Sequence, residues 1–322
     1  MTEEKALNLP AGYTLRPTVL DDFDEFAAIF REYDPEPPSA EELKRRFSSR
    51  DPRGFGRDWT VEKDGRAIAY ARLVRREHNA EGCFNCNVDV HKDHRRQGIG
   101  TLLIGLIMQE SETQQAKMVT SWVREEYPEW IRFAAKHDLK VERVLSESSM
   151  KLPPKSAPAF ADAAAKVEGI TWKSWSDLGD TEENRRKLHA AQILSDTAPD
   201  MDVWGKPSFE QFEKDFFENL KYFEQGVLVA MDGDEIVGMH YLMRDPENDQ
   251  WITDYTGVIP SYRRRGIAYA LKLWGIEVAQ EHGAKEIMTY NDSENTGMLA
   301  INGVLGFVRK PGYAQVRRRW DR

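Results

Sequence analysis

Two segments of the chain, 168 positions apart, carry the same turn. Arg95-Arg96-Gln97-Gly98-Ile99-Gly100 follows the apolar Val88 and Val90, and Arg263-Arg264-Arg265-Gly266-Ile267-Ala268 follows Val258 and Ile259. Each lies between a short apolar run and a stretch with helical patterning, so each reads as strand, turn and helix start. Small residues let the backbone approach a ligand closely, and a helix start offers unpaired N–H groups and the positive end of its dipole. That combination suits a pyrophosphate. The same shift sets Asp64-Gly65 on Asp232-Gly233, Ile68 on Ile236, Ala116-Lys117 on Ala284-Lys285 and Asp138-Leu139 on Gly306-Phe307. Positions 59–139 overlay 227–307 without a gap, which predicts a duplicated domain.

The 322 residues suffice for two such domains, each with its own core. The expected boundaries are 12–150 for the first, 151–167 for a linker rich in proline (Pro153, Pro154, Pro158), and 168–322 for the second. A net charge of −9 argues against nucleic acid as a partner and tolerates a cationic substrate. Met1–Leu9 lacks an apolar signal region and no run reaches membrane-spanning length, so no membrane partner is expected and a cytoplasmic location is. Cys83 and Cys86 stand three apart in a strand-like run and therefore on opposite faces. They read as small buried residues rather than a disulfide or metal pair, and no metal site is expected.

Patterning within each copy predicts a meander of strands with helices inserted around the turn, an α+β domain. In the first copy the strands are Trp59–Glu62, Ala67–Val74, Cys83–Val90, Met118–Val123 and a closing Val141–Met150. The second copy repeats the order, with Ser208 as N-cap of a helix Phe209–Tyr222, a helix after Gly266 and another from Asn295 to Leu305.

The turn with its flanking strand and helix resembles motif A of the GCN5-related N-acetyltransferases (GNAT). Asn291-Asp292-Ser293-Glu294-Asn295-Thr296-Gly297-Met298, continuing to Asn302-Gly303-Val304-Leu305-Gly306-Phe307, resembles motif B of that superfamily. The tandem arrangement is similar to that of two-domain bacterial acetyltransferases of the mycothiol synthase kind. The resemblance implies two tandem GNAT domains, each a mixed, mostly antiparallel splayed sheet flanked by helices. It implies acetyl-CoA as the acyl donor and a small-molecule amine as the acceptor. In the second copy the donor would be held by Val258, Arg263, Arg264, Arg265, Gly266, Ile267 and Ala268, with Asn291 and Asn295 either contacting it or capping the helix. In the first copy Val90, Arg95, Arg96, Gln97, Gly98, Ile99, Gly100 and Thr101 match the same positions. The N–H of Val258 would stabilise the oxyanion formed when the amine attacks the thioester directly in a ternary complex.

An amine that is protonated at neutral pH needs a base. Asp254, nine residues before Arg263, is the candidate, against the plainer reading of a solvated or turn-bonded aspartate. The superfamily's usual motif B tyrosine, which protonates the leaving thiolate, falls on Asn302, a departure from the pattern. Tyr313 and Tyr255 are the remaining candidates for that acid, or they are core tyrosines. An acidic, aromatic rim of Asp196, Asp200, Asp202 and Trp204 suits an amine cation, or is an ordinary polar loop. The first copy sets Cys86 against Asp254 and Ala134 against Asn302, so it is expected to keep the turn and lose the chemistry. Two other functions remain open: an acyl-CoA-binding module without catalysis, and transfer of a different acyl group. Nucleotide-binding glycine motifs of the P-loop or dinucleotide type do not occur.

Overall fold

The computed structural model describes residues 9–34, 37–50, 52–76, 79–152, 159–196 and 205–321. They form two compact units: one runs to Glu142 and takes up the chain again from Ala314, and the other holds Arg143–Tyr313 apart from residues 203–205.

Unit 1 comprises β1 (Tyr13–Pro17), α1 (Phe23–Phe30), α2 (Ala40–Ser48), β2 (Phe55–Lys63), β3 (Arg66–Arg75), β4 (Cys83–Val90), α3 (Ile99–Thr113), β5 (Met118–Arg124) and α4 (Pro128–Lys136). Strands β1 to β4 pair as an antiparallel meander. Parallel β5 joins β4 only from Cys83↔Met118 to Asn85↔Thr120. Beyond that the two strands part, and α3 begins at the end of the opening. Ile99, Leu103, Ile104 and Ile107 recur at helical spacing and bury one side of α3 against the sheet. Phe23, Phe26 and Ala27 of α1 cover the other face with Tyr70. Ala314–Arg319, from the end of the chain, completes this sheet beside β5, with Val316 fully buried in its core.

Unit 2 begins within β6 (Lys140–Lys151). There follow α5 (Ala159–Ala164), β7 (Thr171–Ser174), α6 (Trp175–Leu178), α7 (Glu182–Ser195), α8 (Phe209–Phe212), β8 (Val227–Asp232), β9 (Glu235–Asp245) and β10 (Gln250–Val258). After them come α9 (Ile267–Glu281), β11 (Glu286–Asp292), α10 (Thr296–Leu305) and the start of β12 (Val308–Arg319). The sheet order is β7-β8-β9-β10-β11-β6, parallel only between β10 and β11. That pairing is confined to Ile252↔Met288 and Thr253↔Thr289, so the same splay opens here. Leu228, Val237, Leu271 and Ile287 centre one core under α9, and Trp175, Phe216, Met239 and Tyr241 centre another under α7.

The duplication is visible in the backbone. Shifting α3 (99–113) by 168 gives α9 (267–281), and β5 (118–124) gives β11 (286–292). Two expectations change. The strand ending the first copy, β6, pairs with β11 from Leu145↔Asp292 to Lys151↔Glu286 and so belongs to unit 2. Alternation in a strand specifies which face is apolar and says nothing of which edge it joins. The helix expected from Phe209 to Tyr222 is α-helical only to Phe212, then a π-turn over Glu213–Phe217. It stops because Asn219 Oδ1 accepts from Lys221 N at 2.9 Å, while the Lys221 carbonyl accepts from Arg244 N of β9 at 3.0 Å.

Candidate active site

In unit 2 the turn leaves β10 through a short 3-10 segment, Pro260–Tyr262. Arg264 then takes φ 61° and Gly266 φ 90°. The second value lies where only glycine is unstrained, and it aims successive N–H groups at one point before α9. Gly266, at the N-cap of α9, has no side chain to cap it, so that position leaves the first N–H groups of the helix without a side-chain partner. Neighbouring side chains hold the turn. Arg263 Nε donates to the Val258 carbonyl at 3.0 Å, and its Nη2 to the Ser195 carbonyl at 3.0 Å. Arg265 reaches the Glu168 carbonyl at 2.7 Å and lies over the Tyr262 ring. Beside the turn is a cavity of about 290 Å³ lined in part by Lys166, Arg265, Gly266 and Tyr269.

The direction of the strand's polar groups follows from one bond. Ile259 N donates to Val237 O at 3.0 Å, toward β9. Alternation then turns the N–H of Val258 and of Thr256 the other way, into the opening toward β11. With Arg263 on the Val258 carbonyl, the N–H of that residue is the group presented to a ligand.

Asp254 occupies a β-bulge, the register of β10 on β9 slipping between Thr253 and Tyr255. Bulges re-aim a side chain out of the pleat. Asp254 is exposed at the bulge, yet protein atoms surround the approach to its carboxylate. This loss of hydration raises its pKa above the usual carboxylate value, with the Lys221 ammonium opposing. Tyr255 points to the α7 side, its hydroxyl 2.9 Å from Ser195 Oγ. Burial pushes its phenol up to about 12, so it stays protonated at neutral pH. Its ring lies over Gly257, where a Cβ would come within 2.6 Å of the ring and 2.5 Å of Ser195 Oγ.

The other expected residues lie elsewhere around the opening. Asn295 Oδ1 accepts from Met298 N at 3.1 Å and so caps α10. Asn291 Oδ1 accepts from Asn302 Nδ2 at 2.6 Å, tying β11 to α10. Asn302, at the motif B tyrosine position, is 2% exposed. The Tyr313 ring packs against Tyr290 of β11 at 5.8 Å. Asp196 ends α7, and Asp200, Asp202 and Trp204 lie outside the described residues. The sequence reading passed over Ser195, because only the return of α7 onto β10 brings it to Tyr255 and Arg263. It also passed over His240 of β9 and Lys272 of α9, which are 1% exposed. The signal for these was a lysine within the apolar stripe of α9.

Unit 1 repeats the cradle. Arg96 has φ 64° and Gly98 φ 85°. Arg95 Nε donates to the Val90 carbonyl at 2.8 Å. Gln97 Oε1 accepts from the Tyr13 hydroxyl at 2.8 Å. No Cβ on Gly98 would meet anything within 4 Å, and Gly100 and Thr101 continue into α3. His91 N donates to Ile68 O at 2.9 Å, so the Val90 N–H also faces its opening. Cys83 and Cys86 are free thiols, and Cys86 is buried. No group of metal-ligating side chains occurs among the described residues, and none of their helices is long and apolar enough to cross a membrane.

Comparison with known proteins agrees with this geometry. The model of the acetyltransferase (GNAT) family matches twice, at residues 23–138 and 190–307. A mycothiol acetyltransferase of Rhodococcus erythropolis is 25% identical over 308 residues, covering 94% of this chain and 95% of its own. One of Stackebrandtia nassauensis is 24% identical over 254 residues, covering 77% and 78%. Among solved structures, a GCN5-related N-acetyltransferase from Sphaerobacter thermophilus superposes with a TM-score of 0.73 at 22% identity, covering 97% of this chain and 96% of the other. A tandem GNAT protein from the clavulanic acid biosynthesis pathway gives 0.72 at 18% identity, covering 95% and 98%. The chain is an N-acetyltransferase that belongs to the GNAT family, with the family's domain present in tandem.

Proposed function

We propose that the chain transfers the acetyl group of acetyl-CoA to a primary amine of a small molecule, in the second copy, residues 168–322, at the opening between β10 and β11. The observation that carries this reading is the meeting of three features at one strand: the uncapped turn at Gly266, the inward N–H of Val258 and the bulged carboxylate of Asp254. The similarity to mycothiol acetyltransferases, over 94% of the chain in one case, supports acetyl transfer as the reaction.

The turn fits the diphosphate of the donor: among the described residues a Cβ on Gly266 would meet only Val167, at 3.6 Å, and Gly266 brings no capping side chain to the helix start beyond. Arg263, Arg264, Arg265, Gly266, Ile267 and Ala268 would hold that group. When bound, acetyl-CoA supplies an activated thioester. The chain's residues do the rest. The Val258 N–H would take the negative charge that develops on the carbonyl oxygen. Asp254 would remove a proton from the incoming ammonium, for which its raised pKa and partial hydration suit it. Tyr255, protonated and held by Ser195, is the tyrosine candidate that lies on β10 itself, the strand that ends in Val258. The fixed pair Asn291–Asn302 favours a second reading, acyl-CoA binding without transfer, because it places an amide where an acid would act.

Gly266→Glu tests the reading. A charged side chain in the cradle should remove acetyl-CoA binding at this turn and lower the release of free coenzyme from amine substrates. Binding and turnover equal to the parent protein would refute it. Tight coenzyme binding by the parent with no transfer to any amine would establish the second reading.

A further inference from the structure

Strand β4 of unit 1 ends in Asp89-Val90, immediately before the first turn. A shift of 168 sets Asp89 on Gly257. In unit 2 that place is filled by Tyr255 of the same strand and Ser195 of α7, and admits no side chain. Unit 1 has a carboxylate there. Its Oδ1 accepts from the hydroxyl of Tyr33, which follows α1. Its Oδ2 is buried with no hydrogen-bond partner among the described residues.

The surroundings are built rather than incidental. The Tyr33 ring meets Trp130 of α4 edge-on, with centroids 5.0 Å apart. Trp130 stacks on Tyr127 at 4.1 Å and carries the Arg95 guanidinium at 5.2 Å. Arg95 is fixed in turn by the Val90 carbonyl and by Glu32 at 3.3 Å. The end of α1, the end of β4, the turn and α4 thus converge on a carboxylate that is left one donor short. A buried carboxylate oxygen without a donor is destabilising until a ligand supplies one.

We propose that unit 1 carries a second amine-acceptor site, in which Asp89 Oδ2 holds the ammonium of a primary amine and takes its proton as the nitrogen attacks an acetyl thioester lying along Val88–Val90. The inference rests on the acetyl-CoA reading above. The ammonium gives one proton to Asp89. The freed lone pair forms the C–N bond, the C–S bond breaks with its electrons going to sulfur, and the thiolate takes the second proton from nitrogen. Asp89 then returns its proton to solvent. The overlay of the two copies conceals this base, because it sets Cys86 against Asp254 and glycine against Asp89.

The charges around Asp89 agree with such a role. Burial raises its carboxyl to about 6; the Tyr33 hydrogen bond lowers it, Asp34 raises it, and Arg95 and Arg72 lower it. Cys86, on the same strand, remains a neutral thiol, pushed up to about 12 by burial. Glu32 faces Arg95, with His91 at 3.6 Å from it.

The test uses the full chain carrying Gly266→Glu, acetyl-CoA, and ethanolamine, glucosamine, histamine and spermidine as amines, with thiol release followed from pH 5 to 9. Residual turnover is expected, with an acid limb near pH 6. Adding Asp89→Asn should lower it by at least about 30-fold while leaving acetyl-CoA affinity unchanged. Adding Tyr33→Phe should move the acid limb to higher pH, since it removes a bond that favours the carboxylate. No thiol release above the blank in Gly266→Glu, an Asp89→Asn rate equal to its parent, or an unmoved limb in Tyr33→Phe would each overturn the proposal. The reciprocal Gly98→Glu chain separates the two sites. Activity lost there but kept in Gly266→Glu would sink the reading of unit 2 and leave this one standing.

Discussion

Arg263 Nε donates to the carbonyl oxygen of Val258 at 3.0 Å, and Arg95 makes the same bond to Val90 at 2.8 Å. The arginine therefore does not point into the cradle. It satisfies the carbonyl at the strand's end and leaves the N–H of the same residue facing the opening. Arg263→Met should leave the Val258 and Ser195 carbonyls without their charged donor, at about 1.5–3 kcal/mol per bond. Acetyl-CoA affinity, read by titration calorimetry, should fall about tenfold or more by that estimate. Arg263→Lys should restore little, because an ammonium lacks the planar fork that reaches both. Unchanged affinity in Arg263→Met would show the tie to be dispensable.

Asp254→Asn should lower kcat on the order of a hundredfold with little change in the KM for acetyl-CoA. The carboxyl is raised, so the acid limb of the wild-type pH profile should lie above the ordinary aspartate value and vanish in the variant. Stability should respond too. A group whose folded pKa is raised binds its proton more tightly when folded, so the ionised form destabilises the fold as pH rises. Asp254→Asn should then melt higher than wild type at neutral pH, with the gain shrinking toward acid. A wild-type rate with an intact acid limb would remove Asp254 as the base.

Lys272 is buried in α9 with its ammonium over the Phe307 ring at 5.3 Å, and burial lowers it to about 7. Between that value and its ordinary one the folded chain binds fewer protons than the unfolded chain, so stability rises with pH across the window. The penalty is complete below pH 7 and gone above about 10.5. Unit 1 has Ile104, 3% exposed, at the corresponding position. Lys272→Met should stabilise the protein by roughly 2–4 kcal/mol at pH 7 and hardly at all near pH 10.5, as read by urea unfolding. An equal gain at both would mean that packing, and not ionisation, is responsible.

A Cβ on Gly275 would stand 2.1 Å from His240 Nε2. The ring cannot withdraw, being 1% exposed and joined through Nδ1 to Thr256 Oγ1 at 2.9 Å. Gly275→Ala should cost about 2–3 kcal/mol by overpacking, outweighing the gain of about 1 kcal/mol from removing a helical glycine. In a His240→Ala background the same change should be neutral or stabilising. A loss of equal size in both backgrounds would place the clash elsewhere.

Local chemistry made much of this protein readable. The turns at Gly98 and Gly266, the helices behind them and the strands before them follow from glycine, apolar spacing and a repeat of 168 positions, all within a short stretch of chain. The buried Cys86 followed from the same kind of local pattern, and of the two readings of Asn295, donor contact or helix cap, the cap bond is formed. The partners of each side chain were another matter. Nothing in the pattern of Lys140–Lys151 shows that it joins β11, because alternation defines faces and leaves edges open. Ser195 meets Tyr255, and Tyr33 meets Asp89, only because α7 and the end of α1 return onto the sheet. Residues at one alignment position can therefore play different parts: Gly257 yields its place to neighbours, while Asp89 occupies it. The sequence alone determined a doubled GNAT scaffold with the same glycine turn in each half, because those features are local in the chain. The tertiary structure decided which acids and hydroxyls meet one another beside each turn, because that depends on contacts between segments far apart in sequence.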